Sequence, residues 1–180
     1  ERVYVTGQMG RNPANADALF NSYVGGLIGH ALNYSDGDSI QVKQSGAVVD
    51  IAGRNRIGGL IGQAQTAGNG LEAEDVYYQG TLTLYDNYMG GLFGRSYYAT
   101  YVNRAYVYVQ YDEFRRADGT RGNYDYAGGL VGDLVRSNEA SDFKNVLVNW
   151  NTIAGISPRG DYFATFTNSD PTNGYEVGGK

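Results

Sequence analysis

The 180-residue chain has one histidine, His30, and no cysteine, so acid–base, nucleophilic and thiolate chemistry have few places to start. A Ser/His/Asp arrangement would have to use His30 as its base. His30 follows a glycine-rich phrase whose other copies are followed by Gln63, Arg95 and Asp133, which reads as a solvated corner. Acidic turns could hold calcium, a hard cation that needs many oxygen ligands. Asp36 and Asp38 flank Gly37, and Asp112, Asp118 and Asp125 share one stretch, but neither spacing is that of an EF-hand and neither recurs. Paired carboxyls across a cleft could cleave a polysaccharide. Glu72, Glu74 and Asp75 lie together, with Glu139 and Asp142 further on, yet a chain with 19 acidic residues needs no special role for them. No catalytic residue, metal or cofactor is assigned.

What must position any site is a repeat. The pentapeptide GGLxG occurs four times, starting at Gly25, Gly58, Gly90 and Gly128, so the starts are 33, 32 and 38 residues apart. A valine phrase follows each copy at a nearly fixed offset, beginning at Val42, Val76, Val107 and Val146, and a fifth begins at Val3. A period in this range marks stacked supersecondary units. The valine phrases alternate, which predicts half-buried strands facing inward through Val3, Val42, Val76, Val107 and Val146 as one ladder. Gln44 and Tyr78 interrupt that alternation: either each reaches a partner inside or the alternation breaks there. The glycine phrase predicts a second strand where backbones approach closely, and a third short strand is expected around Ile40, Leu71, Val102 and Phe143. No lysine or capped helix follows any glycine phrase, so a phosphate cradle is not indicated. No segment has helical periodicity over three turns; Asp133 to Asn145 comes closest.

These phrases resemble the GLUG repeat of bacterial surface and secreted proteins, over roughly residues 1 to 155. The resemblance implies a non-catalytic module of the kind found in adhesins and in immunoglobulin A protease-like proteins. The segment from Gly155 to Glu176 departs from the pattern, and Tyr111 and Trp150 replace the closing glycine of their phrases. The fold read from the repeat is all-β: a parallel β-solenoid, or β-helix, right-handed and of about five coils. Residues 1–180 read as one fragment of a longer array. The truncated copies at Val3 to Gly7 and at Gly178 and Gly179 point to further coils or caps in the parent chain.

The net charge of −5 is mild and argues against a nucleic-acid groove, which needs clustered Lys and Arg. No apolar run approaches the ~20 residues of a membrane helix. Glycine at 27 and tyrosine at 17 are the anomalies, the first for tight turns and the second for a wet sheet surface. Two binding sites are weighed. One is the variable loop after Asp112, which concentrates Phe114, Arg115, Arg116, Tyr124 and Tyr126, since loops on a rigid scaffold often carry recognition. The other is an outward column of Tyr4, Lys43, Tyr77, Tyr108 and Leu147, centred on Tyr77 and Tyr108. The function expected is a structural or adhesive module at the bacterial surface or outside the cell, binding a host or neighbouring-cell protein or a glycan. Two rival readings are an accessory, substrate-positioning β-helix of a large secreted protease and a polysaccharide-degrading β-helix enzyme.

Overall fold

The computed structural model describes residues 2–9, 22–35, 37–66, 69–84, 88–113, 127–135, 141–150, 165–170 and 174–178. In chain order the strands are β1 (Tyr4–Met9), β2 (Val24–Gly25), β3 (Ile28–Asn33), β4 (Ile40–Gly53), β5 (Ile57–Gly58), β6 (Ile61–Thr66), β7 (Leu71–Leu84) and β8 (Met89–Gly90). They continue with β9 (Phe93–Tyr97), β10 (Thr100–Glu113), β11 (Ala127–Gly128), β12 (Val131–Val135), β13 (Asp142–Trp150), β14 (Thr165–Asp170) and β15 (Gly174–Gly178). The long strands form a five-stranded sheet in the order β1-β4-β7-β10-β13. The short ones form two four-stranded sheets, β11-β8-β5-β2 and β12-β9-β6-β3. All pairs in these three sheets are parallel. The chain visits the sheets in turn and returns one strand further along each, an all-β arrangement compatible with a β-helix or solenoid. Among the described residues only β14 and β15 pair antiparallel, in the stretch where the repeat pattern lapses.

Each long strand bends at a left-handed residue: Gln44 (φ 49°), Asp75 (φ 54°), Arg104 (φ 55°) and Asn145 (φ 52°). The flanking pairs, Lys43 with Glu74 before the bend and Ser45 with Val76 after it, show that these four stand on neighbouring rungs. A left-handed L-residue costs roughly 1 kcal/mol or more, so four in a row mark a corner imposed by the stack. At the corner two consecutive side chains face out, Lys43 and Gln44 for example, and the alternation resumes with the opposite parity.

The corner corrects the single valine ladder. Val42 stands beside Ala73, with Val102 one rung further on, Val76 between Ser45 and Ala105, and Val107 between Tyr78 and Val148. Val3 lies just before β1 and is 47% exposed. In β4 the inward residues are Ser45, Ala47, Val49 and Ile51, whereas Val48 faces solvent. Both explanations of the interrupted alternation occur, one at each residue. Gln44 is where it breaks, and Tyr78 reaches a partner inside: its Oη donates to the Val49 carbonyl at 2.9 Å. Burial raises the Tyr78 phenol well above its ordinary pKa, so it stays a neutral donor. Tyr111 stands beside Leu82 and not beside Gly80; its buried phenol donates to the Gly128 carbonyl at 2.6 Å. The expected third strand is the first arm of each long strand, before the corner. Asp133–Val135 and Asp142–Asn145 are strand, not helix.

The glycine phrase is split across two sheets instead of forming one strand. Its first glycine ends a two-residue strand, and its fourth residue begins the next. The bend between them turns both apolar columns inward. Leu60, Leu92 and Leu130 are fully buried, and so are Ile61 and Phe93. The glycines are required by crowding, not by φ: among the described glycine phrases none has positive φ. A Cβ on Gly58 would lie 2.0 Å from the Ile61 carbonyl oxygen, and one on Gly91 2.1 Å from that of Gly129 and 2.6 Å from Val107 Cγ1. The middle glycines therefore back onto the inward column Ala47, Tyr78 and Val107 of the long sheet.

Two outcomes follow. Gly91→Val should lower stability by about 3 kcal/mol or more, because the backbone atoms it meets cannot move aside, while Gln79→Ala on the exposed face should change it by about 0.5 kcal/mol at most. Equal melting temperatures for the two variants would contradict the crowding argument. At the corner, Gln44→Asn should hold or raise the melting temperature and Gln44→Val lower it, since Asn tolerates the left-handed region and a β-branched residue does not.

Candidate functional site

Beyond the corner the long sheet turns a flat face to solvent. Its first column is Tyr4, Gly46, Tyr77, Tyr106 and Leu147, and its second is Thr6, Val48, Gln79, Tyr108 and Asn149. Gln8 with Asp50, and Thr81 with Gln110, continue it along the strands, followed by Thr83 and Asp112 beside the buried Ala52. The corner moves the expected tyrosine column. Gly46 takes the place assigned to Lys43, Tyr106 that of Tyr108, and Tyr108 stands one column away. Tyr4 is 58% and Tyr106 43% exposed. The rings of Tyr4 and Tyr77 lie 6.0 Å apart and 29° from parallel, although β4 runs between their strands. Gly46 makes this possible, because its missing side chain leaves room for the Tyr77 ring. Asp50 Oδ1 accepts the Thr81 N–H at 2.8 Å, which holds the carboxylate against the sheet.

Before the corner the outer face is charged. Lys43, Glu72, Glu74, Tyr101, Asn103, Asp142 and Lys144 line a shallow depression of about 390 Å³. Of the acids weighed for polysaccharide cleavage, Glu72, Glu74, Asp75 and Asp142 lie on this arm among cations. Arg104 binds Glu74 at 2.6 Å and Asp75 at 2.5 Å, Lys144 meets Asp142 at 2.5 Å, and Lys43 stands 4.0 Å from Glu72. The hydrogen bond from Arg104 holds the Asp75 carboxyl below its ordinary range and raises the guanidinium in return. A general acid needs the opposite shift.

A third surface runs along the short sheets. His30, Gln63, Arg95 and Asp133 stand on successive rungs, as the repeat alignment requires. Beside them Arg56 and Tyr88 are left-handed corner residues. His30 stacks on Tyr23 at 4.6 Å, Arg56 lies over Tyr23 and Tyr88, and Arg95 lies over Tyr88 and Tyr97. Arg95 Nε also donates to Asp133 Oδ2 at 2.8 Å. Alternating rings and guanidinium groups thus tie each repeat to the next.

Of the residues named for binding, Tyr77 and Tyr108 fall on the flat face in adjacent columns. Phe114, Arg115, Arg116, Tyr124 and Tyr126 lie outside the described residues, as do Asp36, Asp118, Asp125 and Glu139. Among the described residues no group of three His, Asp or Glu side chains is placed to hold a metal. Sequence reasoning missed Asp50 as part of the flat face. The usable signal was the two consecutive polar residues at each corner, from which the outward columns can be counted.

No family model matches the chain. No solved structure matches it. Among curated proteins it is similar to Halomucin of Haloquadratum walsbyi (strain DSM 16790 / HBSQ001), 30% identical over 92 residues, which is 51% of this chain. The matched stretch covers 1% of that relative's length.

His30 makes acidification measurable. Gln63 Nε2 donates to His30 Nε2 at 3.1 Å, which requires the neutral ring, and burial followed by the nearby Arg56 charge lowers its pKa below 6.5. The unfolded chain therefore takes the proton first. Stability should fall as pH drops below 6.5 and level off once pH passes below the folded-state pKa. The effect should be small, because the ring is largely solvated. His30→Gln, the residue found one repeat on, should flatten that part of the melting-temperature profile against pH. An unchanged slope would show that His30 is not its source.

Proposed function

We propose that this chain is a non-catalytic structural and adhesive module of a surface or secreted protein, built as a right-handed parallel β-solenoid of about five coils. The observation that carries the reading is the register: three parallel sheets in which every strand pairs with its counterpart from the adjacent repeat. Such a stack is stabilised between neighbours and presents repeated surfaces, which suits a stalk or an adhesive face better than a single catalytic cleft. The ion pairs of Glu74, Asp75 and Asp142 support the same reading, since each carboxylate is taken up by a neighbouring cation. The mucin in the name of the Halomucin relative fits a place outside the cell. The resemblance of the glycine and valine phrases to GLUG repeats points the same way.

Small-angle scattering and hydrolysis assays test this together. The scattering curve should match that of a squat stack of parallel coils, since about five coils rise by only about 4.8 Å each, and no reducing ends should appear from a panel of polysaccharides. A curve that this stack cannot fit would contradict the solenoid, and turnover that persists in the purified chain would make it an enzyme.

A further inference from the structure

Resting on the adhesive reading, we infer that the flat face beyond the corner is a binding site for a neutral polysaccharide. The first ground is the ring geometry. A Cβ built on Gly46 would lie 2.4, 2.3 and 2.6 Å from Cδ1, Cε1 and Cζ of Tyr77. Three adjacent ring carbons at nearly equal distance place the half-buried ring broadside over the glycine. The exposed Tyr4 ring stacks with it and the exposed Tyr106 stands beside Tyr77 on the next strand. A sugar ring has an apolar C–H face and a rim of hydroxyls, so it stacks on such a platform while its rim seeks hydrogen bonds.

The second ground is what stands further along the same face. Asp50 and Asp112 lie two and three outward columns on from Tyr77 and Tyr106, with Tyr108 on the column between, and Gln8, Asp50, Thr81, Thr83 and Asp112 line a shallow pocket of about 170 Å³ there. Carboxylates and amides accept and donate the bonds that hydroxyls need. The third ground is charge. No Lys or Arg occurs on these columns; both described charges are acidic, so an anionic polymer would be repelled. A polymer of like units also suits rungs that recur about every 4.8 Å.

The test is affinity electrophoresis of the whole chain in gels containing hydroxyethyl cellulose, xylan, galactomannan or mixed-linkage glucan, with alginate as the anionic control. Retardation is expected with at least one neutral polymer and not with alginate. Tyr77→Ala with Tyr106→Ala should weaken it at least about tenfold, and Tyr77→Trp should retain it. Should the double variant fail to melt cooperatively, Tyr106→Ala alone carries the test, because that ring is exposed. Lack of retardation throughout the neutral panel overturns the proposal, as does full retardation of a folded alanine variant. Binding to a glycoprotein that survives removal of its glycans would assign the face to a protein and overturn it too. Release of shortened polymer would end the non-catalytic reading while leaving the site in place; an inert chain that binds nothing does the reverse.

Discussion

Backbone-to-backbone contact at the glycine phrase is the constraint on which the rest depends. Gly58, Gly59 and Gly62 each face main-chain atoms at distances no Cβ could tolerate, and the equivalent glycines of the next repeat do the same. Because the two short sheets meet there without side chains, their apolar columns are free to point at the long sheet. The Leu92 carbonyl accepts from both Leu60 and Ile61, so the bend satisfies its own donors while passing the strand from one sheet to the other. The large core residues Phe93, Leu60 and Tyr78 fill what remains. Glycine thus acts here through volume, and stability is shared between neighbouring repeats.

The left-handed corner has the second structural role. By placing Gln44, Asp75, Arg104 and Asn145 on successive rungs it divides the long sheet into two arms with different outer chemistry. One arm is charged and ion-paired; the other is aromatic with carboxylates along its edge. The strain at each corner residue is held by the packed arms on both sides, an arrangement seen where structure over-determines a conformation. The same bend leaves Gly46 in the outward column between Tyr4 and Tyr77, so the strained corner and the aromatic platform are parts of one construction.

The three described surfaces differ in their chemistry. The ring-and-guanidinium stack through Tyr23, Arg56, Tyr88 and Arg95 binds repeat to repeat. The charged arm pairs its acids with neighbouring cations. The flat face alone combines exposed rings with hydrogen-bonding groups and lacks positive charge.

Several features were legible in the residues themselves. The spacing of GGLxG gave the period, the absence of helical periodicity gave an all-β chain, and the succession His30, Gln63, Arg95 and Asp133 was aligned correctly, because glycines that cannot be replaced hold those positions to the same rung. The valine phrases misled, since valine is accepted at any inward position and says nothing of register. Val42, Val76 and Val107 look alike in sequence and occupy three different columns. Two consecutive polar residues mark each corner in the sequence, but only the tertiary structure decided that the second of them turns left-handed, because Gln, Asp, Arg and Asn share no propensity that would announce it. That one choice sets the parity of every side chain after it, burying Ser45 and Ala47 and bringing Tyr4, Tyr77 and Tyr106 to one face.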